Sequence, residues 1–223
     1  MVEDYLSDRE QEEALRRWWN ENWRWLVAGV VIGLGALGGW QYWQQRAVTR
    51  NEAAAQAYRD MAAALSRGDR GAAEGALRTL DDSHGGSPYT DQAHLLAAQN
   101  YVAAGRFEEA ASELKIVRDR GSDDELQRIA NLRWARVQIQ LGHYDEALAA
   151  LDVNRAGAYE AQIYEIRGDA LLAKGDASGA RQAYQTALNA GQNAQVDIEM
   201  LRLKLADLPA PDAAKVTAST PHP

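Results

Sequence analysis

The sequence predicts an all-α chain: a single N-terminal transmembrane helix, then a solenoid of helical hairpins closed by a C-terminal capping helix. Two observations carry this prediction. Residues 25–45 run without a charge between Arg24 and Arg46, with tryptophans gathered at both ends. Further on, four segments repeat a G-x-x-x-x-A signal, their glycines 37, 37 and 33 residues apart. A third observation bounds the answer: the 223 residues include no cysteine, so neither a disulfide framework nor a thiolate metal site can stabilise the fold.

Residues 1–24 read as a short cytoplasmic segment. Their acidic start, Glu3-Asp4 through Glu12-Glu13, is unlike the basic start of a signal peptide. Glu10 to Trp19 forms either an amphipathic helix lying in the interface or a solvated lead-in to the span.

The uncharged run that follows would measure about 31 Å as a helix, a full hydrocarbon core. Trp18, Trp19, Trp23 and Trp25 at one end, and Trp40, Tyr42 and Trp43 at the other, match the two aromatic belts of a membrane helix. Within the run, Gly33-Leu34-Gly35-Ala36-Leu37-Gly38 spells G-x-G-x-x-G. A dinucleotide site would need a flanking strand and an acid about 20 residues on at the end of a second strand. Glu52 lies near that distance, but in the alanine-rich helical stretch Asn51 to Ala57. Bulky Gly39-Trp40-Gln41-Tyr42-Trp43 is unsuited to cleavage, so the segment reads as a retained anchor. Arg9, Arg16, Arg17 and Arg24 precede it and Arg46, Arg50 and Arg59 follow, a slight bias toward a cytoplasmic N-terminus. Gly29 and Gly33 with Ala36 give one smooth face, and Gly35 with Gly39 another. Such faces either dock a partner helix, with Trp40 and Trp43 beside them, or reflect how common glycine is in membrane helices.

Residues 46–208 form the expected soluble domain. Its repeats are Gly68 to Ala73, Gly105 to Ala110, Gly142 to Ala147 and Gly175 to Ala180. Four residues past each alanine stands a large side chain: Leu77, Leu114, Leu151 and Tyr184. Seven residues before each glycine stand Met61, Ala98, Ala135 and Gly168, mostly small, as closely crossing helices require. This is the tetratricopeptide repeat (TPR) helix–turn–helix pattern, with hairpins at about 49–81, 88–121, 123–154 and 157–190. Phe107 and Tyr144 close the middle two turns; the outer two have Arg70 and Ala177 there, and the repeat-ending proline is missing throughout. Residues 81–90 read as an internal loop, rich in Gly and Ser and containing Pro88. Asp123-Asp124-Glu125 suits a helix N-terminus. Residues 193–208 alternate briefly like a strand, but their Met, Leu, Glu and Lys content favours a capping helix. The rest, 209–223, reads as a disordered tail.

The chain resembles the YfgM family of Gram-negative bacteria. The likeness is carried by Glu10-Gln11-x-Glu13 and Glu21-Asn22, Gly29-Val30-x-x-Gly33 with Gly39-Trp40-x-Tyr42-Trp43, Asn131-Leu132-Arg133-x-Ala135-Arg136-Val137-Gln138, and Arg167 to Asp176. The resemblance implies an inner-membrane protein with a periplasmic TPR-like domain. It also implies association with the Sec translocon and cooperation with a membrane-anchored periplasmic chaperone of the prolyl-isomerase-like type. A scaffold or assembly factor for another inner-membrane or envelope complex is the alternative.

In the TPR register, Gln92, Gln99, Arg136 and Asp169 fall on the concave side lined by the first helix of each pair, with Gln140 and Glu165 close by. They make either a polar peptide-binding groove or, with Arg133 and Arg167, ion pairs that tie repeats together. His84, His94, His143 and His222 show no metal-ligand spacing, and no cofactor is indicated. Asp81-Asp82-Ser83-His84 contains the residue types of a catalytic triad, but neighbours in a loop lack its mutual orientation. No constellation argues for an enzyme. With formal net charge −8 and no basic stripe, nucleic acid is not an expected partner.

Overall fold

A computed structural model describes residues 3–155, 157–190 and 196–209. It comprises two compact units, residues 1–53 and 54–223. Among the described residues every regular element is a helix. Residues 191–195 and 210–223, the latter holding nearly all of the expected tail, lie outside the described residues.

Helix α1 spans Glu3–Ser66 and contributes to both units. Its part in the first unit is the one described helix long and apolar enough to cross a membrane, and none of the apolar window is buried within the chain. Trp25, Ile32, Leu34 and Trp43 all stand exposed. Arg46 lies over the Tyr42 ring, 5.0 Å from its centroid, and Trp40 and Trp43 are 5.9 Å apart. Such a continuous bare apolar surface is a liability in water and ordinary in lipid.

The second unit is built from hairpins. The last turns of α1 pair with α2 (Arg70–His84), α3 (Pro88–Ala103) with α4 (Phe107–Arg120), α5 (Asp124–Gln140) with α6 (Tyr144–Ala150), and α7 (Glu160–Ala173) with α8 (Ala177–Ala190). Helix α9 (Ile198–Ala206) packs on α8. Each apolar cluster draws on consecutive helices. Ala54, Met61, Ala73, Leu80 and Ala93 form the first; Ala98, Leu114, Val117 and Trp134 belong to the second. Ala135, Leu151 and Ile166 belong to the third, and Tyr184, Ala187 and Leu201 to the fourth. Layers that touch only their neighbours define a solenoid. Alanine fills more than half of the buried apolar positions, which lets the helix axes approach closely.

The four repeat glycines explain the turns. Gly68, Gly105, Gly142 and Gly175 take φ of +74°, +72°, +79° and +93°, values that an L side chain adopts only under strain. After each glycine, the next backbone N–H bonds back five residues, to the carbonyls of Ala64, Tyr101, Gln138 and Leu171 in turn, at 2.8–2.9 Å. This is a Schellman closure repeated four times. The outer repeats, which lack the closing aromatic, cap the second helix instead: Asp69 Oδ1 accepts from Ala72 N at 3.0 Å and Asp176 Oδ1 from Gly179 N at 2.8 Å. Asp123 likewise caps α5, accepting from the Glu125 and Leu126 amides.

The structure corrects one expectation. Residues 81–90 are mostly helical, with only Gly85, Gly86 and Ser87 between α2 and α3. Helix α3 starts early because Ser87 Oγ accepts from Tyr89 N and Pro88 occupies the first turn, where its missing N–H costs nothing. Helix α2 persists to His84 because Thr90 Oγ1 donates to the His84 carbonyl at 2.7 Å. Helix α6, by contrast, stops after two turns. Its free carbonyls are taken by neighbours: Asn131 Nδ2 donates to Ala150 O at 2.8 Å, and Arg167 Nη1 to Leu148 O and Leu151 O at 3.3 Å.

Candidate interaction site

Helices α3 and α5, the first members of two successive hairpins, leave an open cleft of about 610 Å³ between them. Gln99 comes from α3, and Arg133, Arg136 and Gln140 from one face of α5, where residues three and four apart stack. The floor is apolar: Leu95 and Val102 of α3, Phe107 and Leu114 of α4, and Val137 of α5. Val102 is exposed there, at 41%.

The six residues predicted for a groove separate into three groups. Gln99, Arg136 and Gln140 line this cleft, and Gln92 stands exposed on α3 outside it. Glu165 and Asp169 on α7 face α9 instead. Lys204 Nζ donates to Glu165 Oε1 at 2.8 Å and to both Asp169 oxygens at 2.8 and 2.9 Å, while Tyr184 Oη donates to Asp169 Oδ1 at 2.7 Å. Arg136 joins the two groups loosely, 3.6 Å from Glu165. Burial depresses the Lys204 pKa, but the bonds it donates to Asp169 and Glu165 outweigh burial and hold it above the usual lysine value. The Tyr184 hydroxyl is pushed up, first by burial and then by its bond to Asp169. So Glu165 and Asp169 fasten the cap, and the cleft is left to cations and amides.

A second polar cluster joins α2, α3 and α4. His94, with its side chain 4% exposed, places Nδ1 2.6 Å from Glu113 Oε2 and Nε2 2.9 Å from Asp81 Oδ1. An imidazolium ring can donate to both carboxylates at once, which a neutral ring cannot. Burial lowers its pKa, but the bond to Glu113 and the charges of Asp81 and Glu113 override burial and raise it. Neither Lys204 nor this histidine was marked by any local pattern, because their partners lie 13 to 39 residues away.

On α1, no described residue beyond the helix's own adjoining backbone comes within 4 Å of where a side chain on Gly29, Gly33 or Gly39 would begin, and Ala36 is exposed. The face of Gly29, Gly33 and Ala36 and the separate face of Gly39 are both open for contact, with the Trp40–Trp43 pair at the end of the helix.

Comparison with known proteins gives the arrangement a family. A model described as tetratricopeptide repeat-like domain matches residues 16–210. The chain is 34% identical to the ancillary SecYEG translocon subunit of Escherichia coli (strain K12) over 207 residues, covering 93% of this chain and 99% of that protein. It is 32% identical to the protein of that name from Aggregatibacter actinomycetemcomitans, covering 92% and 99%. With the one from Haemophilus influenzae the identity is 27% over the same shares.

Proposed function

Since the chain belongs to the YfgM family of tetratricopeptide repeat-like proteins, we propose that it is a non-enzymatic, membrane-anchored interaction module ancillary to the Sec translocon. In this reading α1 anchors it in the inner membrane with its N-terminus cytoplasmic. The repeats stand in the periplasm and link exported proteins to a membrane-anchored, prolyl-isomerase-like chaperone. One observation carries the reading: the same chain holds a lipid-grade helix with an open glycine strip and a repeat unit with an open, partly apolar cleft. The first suits docking to membrane helices, where small residues let backbones approach. The second suits a peptide, because a solenoid presents a wide surface without rebuilding its core. Relatives matched over nearly their full length are named as translocon subunits, which supports the translocon as partner.

Native co-purification in mild detergent tests this. The full-length chain is expected to bring down the translocon, and a chain with residues 25–45 replaced by an unrelated span to lose it. Retention in the swap would move recognition out of the membrane. Protease added to spheroplasts should digest the repeat unit; protection there would reverse the topology.

A further inference from the structure

We propose that the cleft between α3 and α5 binds an extended peptide segment carrying carboxylates beside an apolar side chain, a ligand class that rests on the reading of this unit as an interaction module. Charge comes first. Arg133 makes no hydrogen bond or ion pair with any described residue, and Arg136 is half exposed, its one ion-pair partner among the described residues being Glu165, 3.6 Å away. That carboxylate is already held by Lys204 at 2.8 Å. Among the described residues no acidic side chain lines the cleft, although the chain as a whole is net −8. The cleft is therefore a local inversion of sign, and opposite charge is what it selects.

The uncharged groups narrow the ligand from an anion to a peptide. Gln99 and Gln140 stand on the two helices flanking the cleft, and neither side chain has a partner among the described residues. Each amide offers an N–H pair and a carbonyl, the complement of a peptide unit in an extended strand. Leu95, Val102 and Phe107 form a floor that a small inorganic anion could not use and an apolar side chain could. Guanidinium forks above an apolar floor match a segment such as Glu-Leu-Glu, whose carboxylates reach the rim while its leucine turns down.

Fluorescence anisotropy with the full chain in zwitterionic nanodiscs tests the assignment. The probes are labelled Gly/Ser decapeptides with Glu-Leu-Glu, Gln-Leu-Gln or Glu-Ser-Glu at the centre. A charge-assisted bond outweighs a neutral one enough that Glu-Leu-Glu should bind about tenfold tighter than Gln-Leu-Gln. Glu-Ser-Glu should bind about fivefold or more weaker than Glu-Leu-Glu, having lost its buried leucine. Arg133→Gln with Arg136→Gln should shrink the charge preference to within about twofold. Arg133→Gln alone, which removes no hydrogen bond or ion pair to a described residue, should shrink it too, with the melting temperature unchanged. Equal binding of Glu-Leu-Glu and Gln-Leu-Gln, or a preference untouched by Arg133→Gln, overturns the proposal. Because this assay contains no translocon, its failure leaves the co-purification result standing, and a lost translocon leaves the peptide result standing.

Discussion

The ring of Tyr184 fills the space that a side chain on Gly168 would need: a methyl group there would meet Tyr184 Cε1 at 2.3 Å. In the other repeats the equivalent pairs are Met61 with Leu77, Ala98 with Leu114 and Ala135 with Leu151, so relative to the two middle repeats the last exchanges one methyl for a larger ring. The ring is anchored at its far end by Asp169 and covered by Lys204, 5.7 Å from its centroid. In an ordinary helix, glycine to alanine gains about 1 kcal/mol. Here the gain is expected to reverse, because overpacking costs about 1–3 kcal/mol. Thermal melts should show Gly168→Ala less stable than the parent, and Gly168→Ala more stable than glycine in a Tyr184→Leu background. Equal effects in both backgrounds would dismiss the pairing.

Lys204→Met should loosen the cap. It leaves Glu165 and Asp169 without their shared cation, and breaking a fully buried pair costs about 3–5 kcal/mol. With Lys204 a quarter exposed, about 2 kcal/mol is the expected loss. Hydrogen exchange should quicken in α8 and α9 and stay unchanged in α3 and α4. Adding Glu165→Gln and Asp169→Asn should recover part of the loss.

His94 makes stability fall as pH rises. Its folded pKa is raised above 6.5, so its contribution is complete below about pH 6.5 and is lost as pH climbs through the folded value. The groups that face it are Asp81 from α2 and Glu113 from α4. Melting temperatures measured from about pH 6 to 9 should decline more steeply for the parent than for His94→Gln. Parallel profiles would mean that the ring is neutral throughout.

Gly29→Leu with Gly33→Leu tests the membrane strip. Among the described residues nothing packs where a side chain on either glycine would begin, so the substitutions should leave insertion and the melting of the repeats unchanged. Recovery of the translocon in mild detergent should fall about tenfold if backbones meet there, since bulky side chains hold helices apart. Undiminished recovery would free this face of any docking role.

The local grammar of the fold was open to reading. Gly105 and Gly142 marked turns because few other residues accept that backbone, and Leu114 and Leu151 marked cores because helical spacing returns them to one face. What reading missed depends on stacking. Asp81 looked like loop because it sits among Asp, Ser, His and Gly, yet its carboxylate binds His94 in the next hairpin. Glu165 and Asp169 carried the right register for a groove, but α9 delivers Lys204 to them from 35 and more residues away. Periodicity reports which way a side chain faces, and only the neighbouring layer decides what it meets.

The abundance of alanine at the sealed positions has a mechanical outcome. A methyl group removes little area from water, so each junction between hairpins is held by closeness of fit more than by bulk of grease. Parting one junction therefore forfeits only a modest sum and leaves the remainder zipped. The stack should shed its terminal hairpin and take it back many times before it melts as a whole.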